Sequence, residues 1–141
     1  MKLDKLTLQG LDINIWSLNT VIVGTGVAGW NAADNLVNLG QENIAIVTEG
    51  VNMGTSRNTG SDKQTYYKLT LAGDEQDSIM DMARTLFSGG AKHGDIALVE
   101  AALSPRCFYK LVEYGVDFPH SRHGQYFGYK TDHDPRQRAT S

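Results

Sequence analysis

A six-residue segment, G-T-G-V-A-G at residues 24–29, constrains the fold of this chain more than any other feature. Three β-branched residues, Val21–Val23, precede it and predict a strand buried on both faces, as in a parallel sheet. Alanines and leucines recur at three- and four-residue steps over residues 26–39 and predict a helix that Gly40 ends. Ile44–Val47 predicts a second buried strand. Together these segments predict a βαβ unit with a right-handed crossover.

Glycines at these three spacings are typical of a dinucleotide site. Gly24 permits the tight turn after the strand, and Gly26 lets a pyrophosphate approach the backbone because it has no Cβ. Gly29 allows the helix to pack closely on the strand. The N–H groups of Val27 and Ala28 would then face the phosphates, aided by the positive end of the helix dipole.

Glu49 follows the second predicted strand, 20 residues after Gly29. A carboxylate at this place can accept hydrogen bonds from both hydroxyls of a ribose, which favours NAD or FAD over NADP. The alternative is a glycine-rich turn with an unrelated surface glutamate. The agreement of strand, glycine loop, helix and acidic residue favours the dinucleotide site.

The segment after Glu49 helps to distinguish a flavin-binding domain from a nicotinamide-binding domain. Residues 50–73 show no helical periodicity and carry four glycines among many Ser, Thr and Asn residues. A nicotinamide domain would place its next helix within a few residues, whereas a long polar loop can wrap an extended cofactor. The segment favours FAD. Two alternatives stay open: a fragment of an NAD-dependent dehydrogenase, and a non-catalytic nucleotide-binding or assembly module that needs a partner chain.

The remaining segments predict small elements around this unit. Alternating apolar residues over 3–15, with Gly10 between the halves, predict a hairpin or two edge strands. A helix is expected from an N-cap at Asp74 or Asp77 to Gly89–Gly90, and a second from Asp95 with an apolar face at Ile96, Val99, Ala102 and Leu103. A third helix is expected after Ser104, with Pro105 at its first position, ending at Gly115. The tail is expected to form short strands and loops.

Composition excludes several functions. The net charge is −3, without the basic stripe that nucleic-acid binding requires. No apolar run is long enough to span a bilayer and no secretory signal is evident, so a cytoplasmic protein is expected. The single cysteine, Cys107, is expected to be packed on a helix and excludes a disulfide framework. His120, His123 and His133 lack the spacing of a metal site, so no metal is predicted.

The motifs together resemble a known family. The strand–GTGVAG–helix–IAIVTE unit followed by GTSRNTGS resembles the N-terminus of the FAD-dependent succinate dehydrogenase/fumarate reductase flavoproteins, which include L-aspartate oxidase. HGDIALVEAA, LVEYGVDF and KTDHDPRQRATS are similar to later pieces of that family, so the resemblance runs from Asn19 onward. It implies an α/β fold: a truncated Rossmann-like FAD-binding domain with a parallel sheet and small antiparallel strands.

The resemblance also implies roles for particular residues. The glycine loop would hold the FAD pyrophosphate, Glu49 the adenosine ribose, and residues 56–61 would line the flavin side. The family members that bind flavin covalently carry a histidine in a Ser-His-Thr motif, but this chain reads Ser56-Arg57-Asn58, which implies non-covalent FAD. The residues expected to bind the cofactor are Gly24, Gly26, Val27, Ala28, Gly29, Glu49, Gly50, Ser56, Asn58, Thr59, Gly60 and Ser61.

The length of the chain bears on its expected domain organisation. Members of the resembled family run to several hundred residues, so residues 1–141 are expected to be the N-terminal part of an FAD-binding domain, without its capping domain and C-terminal half. In a full enzyme, hydride would pass between the flavin and a small carboxylic acid, with Arg138 as a candidate carboxylate ligand. The alternative for Arg138 is a solvated, frayed end. Catalysis by this chain alone is not expected, and apolar faces left uncovered would favour self-association or a partner chain.

Overall fold

The computed structural model describes residues 1–60, 65–132 and 134–140. The chain divides into two compact units, Met1–Ser61 and Asp62–Ser141. The elements in chain order are β1 (Lys2–Leu8), β2 (Leu11–Ser17), β3 (Thr20–Val23), α1 (Val27–Asn38), β4 (Ile44–Val47), α2 (Thr55–Asn58), β5 (Tyr66–Tyr67), α3 (Ile79–Ser88), α4 (Gly94–Glu113) and β6 (Ala139–Thr140).

The first unit begins with the predicted hairpin. Strands β1 and β2 pair antiparallel through a two-residue turn. Both turn residues, Gln9 and Gly10, have positive φ angles of 50° and 82°, as the turn type that suits the twist of a hairpin requires. One face of the ribbon carries the apolar pairs Leu6–Ile13 and Leu8–Leu11, all of them exposed.

The predicted strand–helix–strand unit is confirmed. Strands β3 and β4 are parallel, in a register that runs from Thr20 opposite Ile44 to Val23 opposite Val47. Helix α1 connects them and ends as expected at Gly40, which has a φ of 79°. The N–H of Gly40 donates to the carbonyl of Val37 at 2.9 Å and that of Gln41 to Leu36 at 2.9 Å, so glycine closes the helix in a Schellman motif.

The expected burial of the two strands is wrong. Val21 is 53% exposed and Val23 is 85% exposed. Helix α1 covers one face of a sheet that has only two parallel strands within the described ranges, so the other face stays open. Burial on both faces needs helices on both sides of a wider sheet, and residues 1–60 contain one long helix only.

The second unit is built around α3 and α4. The N-cap of helix α3 is Ser78, which is neither of the two predicted N-caps, Asp74 and Asp77, but directly follows the second. Its Oγ accepts a hydrogen bond from the N–H of Asp81 at 3.1 Å. Its end at Gly89 agrees with the prediction. The core between the helices consists of Met82, Ala83 and Ala101, with Tyr67, Leu69 and Leu86 packed against it.

Helix α4 corrects the prediction of two separate helices. Pro105 lies inside one continuous helix and cannot bond the carbonyl of Ala101, but the Ser104 hydroxyl donates to that carbonyl at 2.9 Å. Ser104 is therefore a partner inside the helix and not an N-cap. The carbonyl that proline leaves unpaired is satisfied locally, which removes part of the cost of an interior proline.

The buried face of α4 also differs from the expected one. Its buried residues are Ala97, Ala101, Ser104 and Phe108, whereas Ile96, Val99 and Leu103 are about half exposed. Small side chains face α3 because they let the two helix backbones approach closely. Both sets of residues recur at three- and four-residue steps, so spacing alone does not distinguish the buried face from the exposed one.

Aromatic rings fill the far end of the second unit. The buried Phe108 ring lies 4.7 Å from Phe118, 5.0 Å from Tyr126 and 5.8 Å from Tyr66, measured between centroids. The buried Lys68 ammonium lies 4.8 Å from the centroid of the Phe108 ring, and its burial lowers the pKa of this lysine. Cys107, expected to be packed, is exposed on α4.

Two further observations concern membranes and metals. No helix within the described ranges combines the length and the apolar character that crossing a bilayer requires. Over those same ranges, His, Cys, Asp and Glu side chains form no group of three or more that could hold a metal ion. His133, one of the three histidines considered above, lies outside them.

Candidate cofactor-binding site

A groove of about 710 Å³ opens in the first unit, where β3 and β4 end and α1 begins. Three segments of the chain form it: the glycine loop, the end of β4, and the loop that contains α2. The lining residues are Val23, Gly24, Thr25, Gly26, Val27, Ala28, Val47, Thr48, Glu49, Met53, Gly54, Thr55, Ser56, Asn58 and Thr59.

Gly29, in the first turn of α1, has no space for a side chain. A Cβ built on Gly29 would lie 2.2 Å from the carbonyl oxygen of Gly24 and 3.5 Å from Cγ2 of Ile22. Gly24 has a φ of 98°, in the left-handed region that favours glycine, and its N–H donates to the carbonyl of Val47 at 2.8 Å. Gly29 therefore lies beneath the loop and supports it without lining the groove.

The N-terminus of α1 faces this groove with its first backbone N–H groups. Its N-cap is Gly26, which has no side chain to cap the helix, and its first turn contains no acidic residue. The N–H of Val27 donates to Oγ of Ser56 at 3.1 Å. The unpaired donors of a first turn and the positive end of the helix dipole together favour an anion here.

The loop after β4 packs directly on the glycine loop. Gly54 has a φ of 117°, and a Cβ on it would lie 3.0 Å from the nitrogen and 3.1 Å from Cα of Gly26. Residues 55–58, expected to be irregular, form the single helical turn α2. This turn starts at the point of contact between the loops and carries Ser56 to the start of α1.

Two predicted cofactor residues on this loop have partners within it. The Asn58 side-chain amide donates to the carbonyl of Gly54 at 2.9 Å, and the Thr59 hydroxyl donates to that of Thr55 at 2.6 Å. Both side chains line the groove while they hold the loop in shape. Gly60 lies outside the groove lining, and Ser61 lies outside the described residues.

Glu49 lies two residues after the end of β4. It is exposed and lines the groove. Gly50, also predicted to bind the cofactor, lies outside the groove lining, and its carbonyl oxygen accepts from the hydroxyl of Thr48 at 3.0 Å. A carboxylate with access to the groove can accept hydrogen bonds from a diol, as the predicted ribose contact requires.

Sequence reasoning missed part of the lining. Thr25, the residue between the first two glycines, is buried and bonds to the loop after β4. Thr48, Met53 and Gly54 also belong to the groove. Gly54 could have been found, since a glycine in a polar loop often marks a positive φ. The spacing that identifies the glycines carries no information about the residue between them.

Comparison with protein families gives one match. The family model described as an FAD binding domain matches residues 19–141. The chain belongs to this family. As a member of the FAD binding domain family it is the flavin-binding portion of an oxidoreductase, and FAD is its cofactor. The hairpin of β1 and β2 precedes the matched region. A comparison with curated proteins found no match.

Arg138 lies in the second unit of this FAD-binding domain, and its surroundings do not support the predicted contact with a substrate. The side chain is fully buried, with Nε 2.8 Å and Nη2 2.6 Å from the two carboxylate oxygens of Asp77. Nη1 lies 3.3 Å from both oxygens of Asp134 and 3.0 Å from the hydroxyl of Thr85. A substrate carboxylate would have to displace these partners. The alternative of a solvated, frayed end is wrong for the same reason.

The pKa of Asp77, the carboxylate that binds Arg138 through two hydrogen bonds, is far from its ordinary value. Burial alone raises the pKa of Asp77, but the hydrogen bond from Arg138 and backbone N–H bonds from Thr70 and Ser78 outweigh it. The net result lowers the pKa of Asp77 from 3.8 to about 2. The same carboxylates raise the pKa of Arg138 against the effect of burial. These charges are therefore part of the framework of the second unit.

Proposed function

We propose that this FAD-binding domain serves an oxidoreductase of the succinate dehydrogenase/fumarate reductase type, in which hydride passes between FAD and a small carboxylic acid. The observation that carries the proposal is the groove of the first unit. Three features converge there: Gly24 and Gly26, which have no side chains, the N-terminus of α1, and the carboxylate of Glu49. A pyrophosphate needs the first two and a ribose needs the third.

The residues of the groove fit the polar parts of FAD. The first-turn N–H groups of α1 after Val27, whose own N–H is bonded to Ser56, would bind the pyrophosphate. The absence of a Cβ on Gly26 would let it reach the backbone. Ser56, expected on the flavin side, lies at the start of α1 instead. It accepts from Val27 through its oxygen, which leaves the hydroxyl proton free to donate to a phosphate oxygen. Bound flavin supplies the hydride chemistry, while the protein supplies binding and placement.

Binding of FAD to the purified 141-residue chain tests the proposal. We expect quenching of flavin fluorescence on titration, and release of all bound flavin into solution when the protein is denatured with acid. Release follows because Arg57 stands where the covalent members of the resembled family have histidine. Flavin that stays with the precipitated protein would contradict non-covalent binding. Preference for NAD would instead support a dehydrogenase fragment, and binding of neither would support an assembly module.

The surroundings in which this domain works are part of the proposal. We propose a cytoplasmic setting and a small carboxylic acid as substrate in the full enzyme. Val21 and Val23 on the open face of the small sheet are exposed, which supports association with a further protein segment, from a partner chain or from a second copy.

Replacement of Glu49 by glutamine is expected to weaken FAD binding about tenfold, because a hydrogen bond to an ionised acceptor becomes one to a neutral acceptor. Equilibrium titration with FAD measures the effect. Glu42→Gln is the matched control, since Glu42 is an exposed carboxylate of the same unit outside the groove lining. Equal affinity of Glu49→Gln and the original chain would remove Glu49 from the ribose site.

A further inference from the structure

The described part of the first unit has a single buried residue, and it is polar. Among residues 1–60, Thr25 alone is buried, with 8% of its surface exposed, while the apolar residues of β1, β2, β3 and α1 remain partly or largely exposed. Burial of a hydroxyl costs free energy unless it is hydrogen-bonded. The side chain buried most deeply in this unit thus lies between two loops of the groove and not between a helix and a sheet.

The Thr25 hydroxyl is fully bonded to the loop after β4. Its oxygen lies 2.8 Å from the carbonyl of Met53, 3.2 Å from that of Gly50 and 3.1 Å from the hydroxyl of Thr48. A hydroxyl has one proton, so the shortest contact is its donation to Met53. Gly50 keeps other donors, the hydroxyl of Thr48 and the N–H of Met53, whereas among the residues that the structure describes Thr25 is the one donor to the Met53 carbonyl.

These bonds fix the segment that carries Ser56. Met53 is followed directly by Gly54, which lies so close to the glycine loop that a Cβ added to it would be 3.0 Å from the Gly26 nitrogen. Two residues later Ser56 accepts from the N–H of Val27 at the start of α1. Thr25 therefore holds the loop after β4 against the glycine loop at the point where the pyrophosphate is proposed to bind.

We infer that Thr25 is a positioning residue for the cofactor: its buried hydroxyl joins the two loops into one preformed cradle and thereby places Ser56 at the pyrophosphate. This inference rests on the proposed function, since it assigns a role within the same groove. A loop already in its bound conformation does not have to be ordered when the ligand binds. Loss of the hydroxyl should therefore weaken FAD binding although Thr25 need not touch FAD.

Two substitutions at this position separate the hydroxyl from the shape of the side chain. Thr25→Val keeps the shape and leaves the carbonyl of Met53 without its donor, and we expect FAD affinity to fall about tenfold or more. Thr25→Ser keeps the hydroxyl, and we expect affinity within about threefold of the original chain. Thr7→Val is the matched control, because Thr7 bonds Asp12 on the exposed hairpin outside the groove.

Hydrogen exchange of the chain without FAD provides a second readout. In Thr25→Val we expect faster exchange at the amides of Met53, Arg57 and Asn58, which bond within the loop. The amides of Leu39 and Gly40 at the end of α1 should exchange at unchanged rates, which separates loosening of the loop from unfolding of the unit. Thr48→Val should give a smaller effect and serves as a second variant should Thr25→Val not fold.

The outcomes are distinct. Original affinity in Thr25→Val, or equal weakening in Thr25→Ser and Thr25→Val, would overturn the inference while the proposed function stands. Failure of the original chain to bind FAD would overturn the proposed function and the cofactor role of Thr25 together. In that case the exchange rates still decide whether the hydroxyl joins the loops, and unchanged rates in Thr25→Val would overturn that as well.

Discussion

Alanine in place of Gly29 is expected to reduce FAD affinity by about 100-fold and to lower the stability of the first unit. The added methyl would lie 2.2 Å from the carbonyl oxygen of Gly24, far inside any real contact. The neighbour is backbone and not the end of a flexible side chain, so either α1 or the glycine loop must move. Both movements displace the N–H groups proposed to bind the pyrophosphate.

Gly26→Ala provides the informative contrast. A Cβ on Gly26 would lie 3.6 Å from Oγ of Ser56, an ordinary contact, and its φ of −70° suits alanine. The free chain should therefore keep its stability, while FAD affinity should fall because the methyl occupies the place proposed for the pyrophosphate. Gly89→Ala, with a φ of −65° and 3.6 Å to the nearest atom, should change neither property.

Measurement of both properties decides between the roles of the two glycines. Trp16 and Trp30 lie in the first unit and all six tyrosines lie in the second, so tryptophan fluorescence follows unfolding of the first unit alone. Titration with FAD gives the affinity. Unchanged stability and affinity in Gly29→Ala would show that the close approach of α1 to the loop is not needed.

The sequence was sufficient to predict the strand–helix–strand unit because each of its signals is local. Glycine at 40 ends α1 for reasons confined to the last turn of that helix, and the alternation over 3–15 fixes the hairpin in the same way. Burial could not be predicted in this way. Val23 has the composition of a core residue, but its exposure depends on whether another element covers the sheet.

The incorrect prediction of two separate helices in the second unit has a different cause. Pro105 is a good first residue of a helix, and Ser104 before it is a good N-cap, so the pair predicts a break. In the structure the Ser104 hydroxyl takes over the carbonyl of Ala101, and its oxygen accepts from the N–H of Leu69 at 3.1 Å. The second bond comes from a residue 35 positions away, which local patterns do not reveal.

Arg138→Met is expected to destabilise the second unit by about 3–5 kcal/mol, because it leaves two buried carboxylates without their cation. The side chains of Asp77 and Asp134 are 2% and 4% exposed, so water cannot replace the guanidinium. The near-ultraviolet circular dichroism of the tyrosines follows this unfolding.

Neighbouring charges offer a matched control for this effect. Arg136→Met removes a cation of the same tail whose side chain is 36% exposed and lies 3.9 Å from Asp81, so it should cost less than about 1 kcal/mol. The double variant Arg138→Met/Asp77→Asn should recover part of the loss, because one of the two uncompensated charges is gone. Equal stability of the Arg138→Met and Arg136→Met variants would show that the buried network contributes no more than a surface pair.

The ion pair of Arg138 and Asp77 makes the stability of the second unit depend on pH under acidic conditions. The pKa of Asp77 is about 2 in the folded protein and 3.8 ordinarily, so its contribution is complete above pH 3.8 and is lost as the pH falls toward 2. A difference of this size corresponds to about 2 kcal/mol.

In Arg138→Met the Asp77 carboxylate loses the partner that lowers its pKa, so protonation now relieves a buried charge. Stability of the variant should then rise, or fall less than that of the original chain, between pH 5 and pH 3. A parallel loss of stability in both proteins over that range would contradict the assignment of the low pKa to the bond with Arg138.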